Sequence, residues 1–401
     1  MVQLTVTGHY NDGSTAILAP VSGVTFSSSN TTAVAVDANG IATVATSASA
    51  GATALITAAD AASGLATSQA NSTIVSVGTT SVGPPTPDSG QAVSATAQQN
   101  PYCTAIQPFY WEIGDASEAL ASGSSTRAGG QPVTAASRFL IASASKWIYG
   151  MYVVQQRGGV AHLTAADIQF LTFRSGYSNM GSSTQGATCT PPVSGANSIN
   201  HCLSLPASDP GRYGTQDPQT TGRFAYDSGH EENHAGQFQP EISDLDAADL
   251  GSAIVAGLGL SGVTLDYTQP LLAGGIRASA NDYTALLRAV RSGRLYMLDA
   301  LGTDPVCAWV GPTCNAARSP QQTERWHYSI AHWVEDDISQ GNDGAFSSPG
   351  AFGFDPWIEA NKKYYGVISR AALAGNGNQQ GFASALCSRQ LRAAWETGVQ
   401  Q

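Results

Sequence analysis

Alternating apolar and polar residues dominate the N-terminal part of the chain, whereas apolar residues at helical spacing recur through the remainder. Ala33-Val34-Ala35-Val36, Ile41-Ala42-Thr43-Val44, Ala54-Leu55-Ile56-Thr57 and Thr73-Ile74-Val75-Ser76-Val77 read as short strands. Asp12-Gly13 and Asp37-Ala38-Asn39-Gly40 supply turn chemistry beside them. Short strands at such spacing predict a β-sandwich over 1–79. Past residue 100 the signals mix. Phe109 to Ile113, then Gly114-Asp115 and Ala119-Leu120-Ala121, predict a hairpin. Lys146 to Gln156 is an apolar run long enough for a buried helix, and Asp282 to Arg291 and Phe382 to Thr397 predict two more. Tyr364 to Ser369 is a late strand. Strands at both ends with helices between them predict an α+β architecture for 101–401.

Composition sharpens the division. At 401 residues, a prior of roughly 150 residues per domain allows two or three domains. Residues 1–100 hold no Lys, Arg or Glu and only Asp12, Asp37, Asp60 and Asp88, so all 18 basic residues fall in 101–401. Such a break marks a domain boundary, with 80–100 as the linker: Pro84-Pro85-Thr86-Pro87 stiffens its start and a Ser/Gln/Ala-rich tail follows. A net charge of −11 without a basic patch excludes nucleic acid and anionic membrane surfaces as partners. No apolar run reaches the roughly 18 residues of a membrane span. The opening MVQLTVTG has neither the basic nor the apolar region of a signal peptide, as expected for a mature form with a start Met added.

Six cysteines, Cys103, Cys189, Cys202, Cys307, Cys314 and Cys387, form no C-x-x-C pair. Proximity favours Cys189–Cys202 and Cys307–Cys314 as short loop closures, leaving Cys103–Cys387 to join the ends of the domain. Disulfides imply an exported protein; six free buried thiols are the cytosolic alternative.

Chemistry concentrates at one lysine. The chain has three, and Lys362-Lys363 lie in a polar turn. Lys146 instead lies in the apolar stretch Phe139-Leu140-Ile141-Ala142-Ser143-Ala144-Ser145-Lys146-Trp147-Ile148. Burial of an ammonium lowers its pKa unless it is paired, and a neutral lysine can take a proton from a hydroxyl. A serine three residues earlier on a first helical turn lies within its reach. A capping serine beside a snorkelling lysine explains the same spacing.

PVTAASRFLIASASKWI resembles the stretch around the nucleophile in the serine β-lactamase-like superfamily, which includes class C β-lactamases, D-Ala-D-Ala carboxypeptidases, esterases and 6-aminohexanoate-dimer hydrolases. FAYDSGH at 224–230 stands where the family carries Tyr-x-Asn. LLAGGIRASANDYTALLRAVRSG at 271–293 is similar to the family's glycine turn and helix. HYSIAHWVED and SPGAFGFDPWIEANKKYYGVIS are similar to its closing strand pair. The resemblance spans about 105–395 and implies a β-lactamase-like fold: an antiparallel sheet flanked by helices, with a helical subdomain. It implies Ser143 as nucleophile, Lys146 as its activator and Tyr226 as proton relay to the leaving group. It also implies an oxyanion hole of the backbone N–H groups of Ser143 and Ala351. Trp147, Tyr177, Trp333, Phe352 and Trp357 are candidates to line an acyl pocket, with Ser228, Ser348 and Gly350 at its edge.

Two departures shape the expected substrate. Ser348-Pro349-Gly350 replaces the family's Lys-Thr-Gly or His-x-Gly, so the cation that holds a substrate carboxylate is missing unless Arg277 or another loop arginine supplies it. Ser228 stands where Asn is usual. The first favours small or oligomeric esters, or amides without a required carboxylate, over β-lactams and D-Ala-D-Ala peptides, and the second bears on the detail of the proton relay. Residues 1–79 resemble a bacterial Ig-like group 2 domain, which implies a spacer, or an adhesive module contacting a polymer or cell surface, on a secreted, periplasmic or cell-surface protein.

His230-Glu231-Glu232-Asn233-His234 fits the zinc-protease pattern H-E-x-x-H, with Glu241 as a conceivable third ligand. Gly229 and Gly236 crowd the motif, and Gln237 and Pro240 stand where the longer form needs Gly and His. A polar loop at the cleft rim is the plainer expectation, with no metal and no cofactor. Gly176-Tyr177-Ser178-Asn179-Met180 misses the G-x-S-x-G elbow at its last position. A non-catalytic surface adhesin would be the reading if Ser143, Lys146 and Tyr226 failed to meet.

Overall fold

The computed structural model describes residues 2–3, 6–9, 15–19, 24–38, 40–44, 53–60, 65–66, 73–76, 89–178, 197–205, 215–321, 323–373 and 377–401. The chain divides into two compact units, Met1–Pro85 and Thr86–Gln401.

The described elements of the first unit are all strands. Thr53–Asp60 pairs antiparallel with Val24–Ser28 and with Thr73–Ser76, and Val34–Val36 pairs with Ile41–Val44. Asp37 makes the turn between the latter two: its carbonyl accepts the Gly40 N–H and its carboxylate accepts the Ile41 N–H at 2.8 Å. Period-two alternation turns Ala54 and Ile56 inward against Ala33, Val34 and Ala42. Asp12-Gly13 lies outside the described residues.

The linker expected over 80–100 gives way to a helix at Ser89–Gln99. Its Ala92, Val93 and Ala97 pack with Cys103, Leu391 and Trp395 of the second unit. The Ser/Gln/Ala composition conceals this helix because its buried face is made of small residues, and tertiary packing rather than a strong apolar stripe stabilises it.

An eight-stranded antiparallel sheet forms the frame of the second unit. Its spatial order is Ala119–Ser125, Phe109–Gly114, Tyr365–Ser369, Asp355–Ile358, Ala345–Ser347, Trp333–Glu335, His327–Tyr328 and Val306–Cys307. Both faces are covered, so the central strands Phe109–Gly114, Tyr365–Ser369, Asp355–Ile358 and Ala345–Ser347 are buried at every position rather than alternating. Ile358 and Val367 face one core with the helices Ala144–Arg157 and Ala280–Arg291. Trp357 and Ile368 face the other, with Leu391 and Trp395 of the terminal helix Gly377–Thr397. The predicted helices and hairpin are present, each longer than its pattern by a few residues.

The helix Ala280–Arg291 begins in a capping box, where Ser279 accepts the Asp282 N–H and Asp282 accepts the Ser279 N–H. Tyr283, Leu286, Leu287 and Val290 repeat at helical spacing and are all fully buried. Disulfides join Cys103 to Cys387 and Cys307 to Cys314, and no described cysteine is free. The expected Cys189–Cys202 pairing involves Cys189, outside the described residues. No helix among the described residues is long and apolar enough to cross a membrane.

Candidate active site

Ser143 sits at a strand-to-helix junction. Arg138–Leu140 pairs with Ile276–Ser279, and the Ile141 N–H still donates to the Ile276 carbonyl. The chain then turns through Ala142 at φ 46°, a left-handed conformation that a residue with a Cβ adopts only under constraint. The helix Ala144–Arg157 follows, buried along most of its length and closed by Gly158 in the left-handed region. This junction projects the Ser143 side chain into a cleft while the helix behind it is held by the core.

The capping-serine and snorkelling-lysine alternative fails on both counts. Ser143 stands at the N-cap but makes no side-chain capping bond, and Lys146 is only 2% exposed. Lys146 Nζ instead donates to Ser143 Oγ at 3.2 Å and to the Ala273 carbonyl at 2.7 Å. It also lies 5.0 Å from the centre of the Tyr226 ring.

The expected fall in the lysine pKa does not occur. Burial alone would lower it, but the charges of Tyr226, Glu231, Glu232 and Asp227 together outweigh burial and hold Lys146 above the ordinary lysine value. Sequence spacing placed the serine beside the lysine, but it did not show the acidic residues folded around them.

Ser143, Tyr226, Trp333 and Ala351 share one cleft, which opens to solvent. Tyr226 is held by its own N–H donating to the Arg318 carbonyl and by stacking on Trp333 at 5.2 Å between ring centres. Ala351 is brought beside Ser143 through Gly350, where any Cβ would collide with the Ile141 carbonyl. The Ser143 and Ala351 N–H groups have no acceptor among the described residues, which leaves both available to an oxyanion.

Other expected lining residues lie elsewhere. Trp147 is fully buried in the main core and stacks on His332 at 5.5 Å. Trp357 is likewise a core residue, with Arg392 over its ring at 5.2 Å. Tyr177 stacks on Phe170 at 5.7 Å, Phe352 is half-buried outside the cleft lining, and Ser228 donates its N–H to Asp227. Ser348 turns its hydroxyl away, donating to the Ser143 carbonyl at 3.2 Å. Arg277 is exposed on the strand Ile276–Ser279 and does not line the cleft. Arg318 approaches, but it is paired with Asp227 at 2.8 Å.

The rest of the wall is Pro320, Gln321, Trp326, Pro349, Gly381 and Phe382. Trp326 bridges Trp333 and Phe382 at 5.8 Å from each. Its indole N–H donates to Glu324 and Asn342, which Arg389 also contacts. Phe382 was visible only as the start of a predicted helix, and Trp326 only as a neighbour of the predicted strand.

His230–Phe238 is a buried helix rather than a polar rim loop. Glu232 caps its start by accepting the Gly229 N–H at 2.7 Å, and Gly236 lies where a Cβ would press on Leu203. His230 Nε2 donates to the Ala225 carbonyl at 2.9 Å and its Nδ1 meets the Ser175 hydroxyl at 2.7 Å. His234 Nε2 meets Asp167 and its Nδ1 meets the Tyr149 hydroxyl, both at 2.7 Å. Burial pushes His230 down to about 3, so it is neutral. All four imidazole nitrogens are committed to protein partners, and a zinc ion would have to displace them.

Glu232 has a second bond, accepting the Ala273 N–H at 2.9 Å. It therefore fixes the turn whose Ala273 carbonyl holds Lys146. Glu231 is different: it is fully buried, and neither carboxylate oxygen has a hydrogen-bond partner.

No protein-family model matches the chain, and no curated protein matches it. Solved structures do. The D-amino acid amidase from Ochrobactrum anthropi SV3, complexed with L-phenylalanine, is similar at 12% identity and a TM-score of 0.53, over 77% of this chain and 98% of that one. EstCE1, a hydrolase with promiscuous acyltransferase activity, is similar at 12% identity and a TM-score of 0.50, over 75% and 98%. At such identities the likeness is one of fold, and the chain has a β-lactamase-like fold.

Proposed function

We propose that the second unit is a serine hydrolase that forms an acyl-enzyme on Ser143 and acts on carboxylic esters, with amides as the nearest alternative. The observation that carries this reading is the Lys146–Ser143 contact at 3.2 Å, made by a buried lysine at a cleft shared with Tyr226 and Ala351. Ser143 Oγ attacks the acyl carbon as its proton passes to the Tyr226 oxygen, which enters the step as a phenolate beside the Lys146 ammonium and then, as the phenol, gives that proton to the leaving oxygen or nitrogen. Lys146 remains an ammonium and stabilises the negative charge that develops on Oγ. The Ser143 and Ala351 N–H groups receive the carbonyl oxygen as it becomes an oxyanion. Water then repeats the sequence on the acyl-enzyme.

Substrate preference follows from the wall. Tyr226, Trp326, Trp333 and Phe382 offer aromatic faces to an apolar acyl group, and among the described residues none of the lining carries a positive charge. The Cys103–Cys387 and Cys307–Cys314 disulfides suit an oxidising compartment, which fits an exported enzyme with the first unit as an Ig-like spacer or adhesive module. The test is turnover of short p-nitrophenyl esters. Ser143→Ala should abolish it, and Lys146→Ala or Tyr226→Phe should reduce it by roughly 10² or more. Near-native turnover by Ser143→Ala would refute the assignment.

A further inference from the structure

We propose that His230 is a positioning residue: by holding the Ala225 carbonyl and the Phe173 ring, it sets the place of Tyr226 in the cleft. This rests on the serine-hydrolase reading above and extends it to a residue behind the site.

Tyr226 projects from a segment whose main chain is tied at three points. The Ala225 N–H donates to the Phe173 carbonyl at 3.0 Å, and the Tyr226 N–H donates to the Arg318 carbonyl at 3.0 Å. At the third point a side chain takes part: the Ala225 carbonyl accepts from His230 Nε2 at 2.9 Å. A carbonyl can only accept, so Nε2 carries a hydrogen. In the neutral ring Nδ1 is then the acceptor, and the Ser175 hydroxyl donates to it at 2.7 Å. Both ends of the imidazole are committed, and its plane is fixed.

That plane is a second hold on Tyr226. His230 stacks on Phe173 at 4.8 Å between ring centres and 8° between planes, and Phe173 meets the Tyr226 ring edge-on at 5.3 Å. Phe173 itself is at φ 57°, a left-handed conformation that a bulky residue keeps only where its surroundings hold it. One imidazole therefore braces both the strained residue and the segment that carries Tyr226. Phe173, Ser175, Ala225 and His230 are each no more than 2% exposed, so water does not compete for these bonds. None of the four lines the cleft, and His230 acts on the reaction through Tyr226.

The test is a double-mutant cycle on the full chain, read as kcat and KM for a short p-nitrophenyl ester. His230→Asn places an amide near the Nδ1 position and stops short of the Ala225 carbonyl, whereas His230→Gln is long enough to reach it. His230→Asn should lower kcat at least about tenfold with KM within about threefold, because the proton relay is displaced while the acyl wall is not. His230→Gln should restore most of that loss. In a Tyr226→Phe background His230→Asn should change kcat by less than about twofold, since no phenol hydroxyl is left to misplace. Comparable losses in the two backgrounds, or a Gln variant no better than the Asn variant, overturn the proposal while leaving the hydrolase reading intact. Failure of both variants to fold also overturns it, because the imidazole would then serve the fold as a whole. Wild type that neither turns over the ester nor labels at Ser143 with a fluorophosphonate overturns the hydrolase reading and this proposal with it.

Discussion

Glu232 and Ala273 are joined at 2.9 Å by a carboxylate–N–H bond, and the carbonyl of the same Ala273 accepts the Lys146 ammonium at 2.7 Å. A residue with no place in the sequence-level catalytic set therefore fixes the height of the lysine beneath Ser143. Removing the carboxylate leaves the Gly229 and Ala273 N–H groups buried and unpaired, at about 1–3 kcal/mol for each group. Glu232→Ala should lower the melting temperature and the ester turnover together. Chemical denaturation beside kcat measures both, and an unchanged kcat would show that the turn holds itself.

The helix Ser89–Gln99 belongs to the second unit, so the two boundaries implied by composition and by packing have different consequences. Val93 and Ala97 are fully buried, and Ser125 donates its hydroxyl to the Ala97 carbonyl at 2.6 Å. A chain starting at Thr86 should fold and hydrolyse small esters. One starting at Pro101 exposes Ile106, Leu391 and Trp395, at about 1.5–3 kcal/mol for each large side chain uncovered, and should melt markedly lower. Equal melting temperatures for the two truncations would contradict the assignment of this helix.

Acid should act through Asp167. Its burial favours the neutral form, but hydrogen bonds from His234, Arg157 and Thr164 outweigh burial and hold its pKa well below the usual carboxylate range. A depressed carboxylate contributes stability that is present above the unfolded pKa of about 4 and is lost as pH falls towards the folded value. Asp167→Asn should cost about 3–5 kcal/mol near neutrality, since breaking a buried ion pair leaves its partners unpaired. The stability gap between variant and wild type should shrink below about pH 4. A gap independent of pH would show that Asp167 is not ionised in the fold.

Specificity should follow the absence of a cation from the cleft lining among the described residues. Ser348 donates to the Ser143 carbonyl, and Arg318 is engaged by Asp227. A charge-assisted contact to a substrate carboxylate, worth about 1.5–3 kcal/mol, is therefore not available, which is one to two orders of magnitude in rate. The kcat/KM for a simple acyl ester should exceed that for nitrocefin or a D-Ala-D-Ala peptide by at least roughly 10². Efficient nitrocefin turnover would mean that Arg318 leaves Asp227 to meet the substrate.

Much of the fold was legible because its signals are local. The apolar run after Ser143, the capping Ser279 and the period of Tyr283, Leu286, Leu287 and Val290 each specify a helix from neighbours alone. The cleft was legible only in part. Ser143, Tyr226, Trp333 and Ala351 come from four ordered segments and do meet, but Trp147 and Trp357 belong to the core. An aromatic residue beside a motif gives no sign of which side of the element it faces. The helix Ser89–Gln99 and the buried helix of His230 to Phe238 were missed for one reason: packing partners far along the chain stabilise them. The same distance hid the charge state of Lys146, since the first helical turn carries no acid and Asp227, Glu231 and Glu232 approach from another segment.

Nucleophile identity is the central claim, and covalent labelling tests it most directly. The purified full chain is treated with a fluorophosphonate, its intact mass is measured, and the adduct is mapped by peptide sequencing. A single adduct on Ser143, absent from Ser143→Ala, is the predicted result. An unmodified chain under conditions that label known serine hydrolases, or an adduct on a different residue, would contradict it.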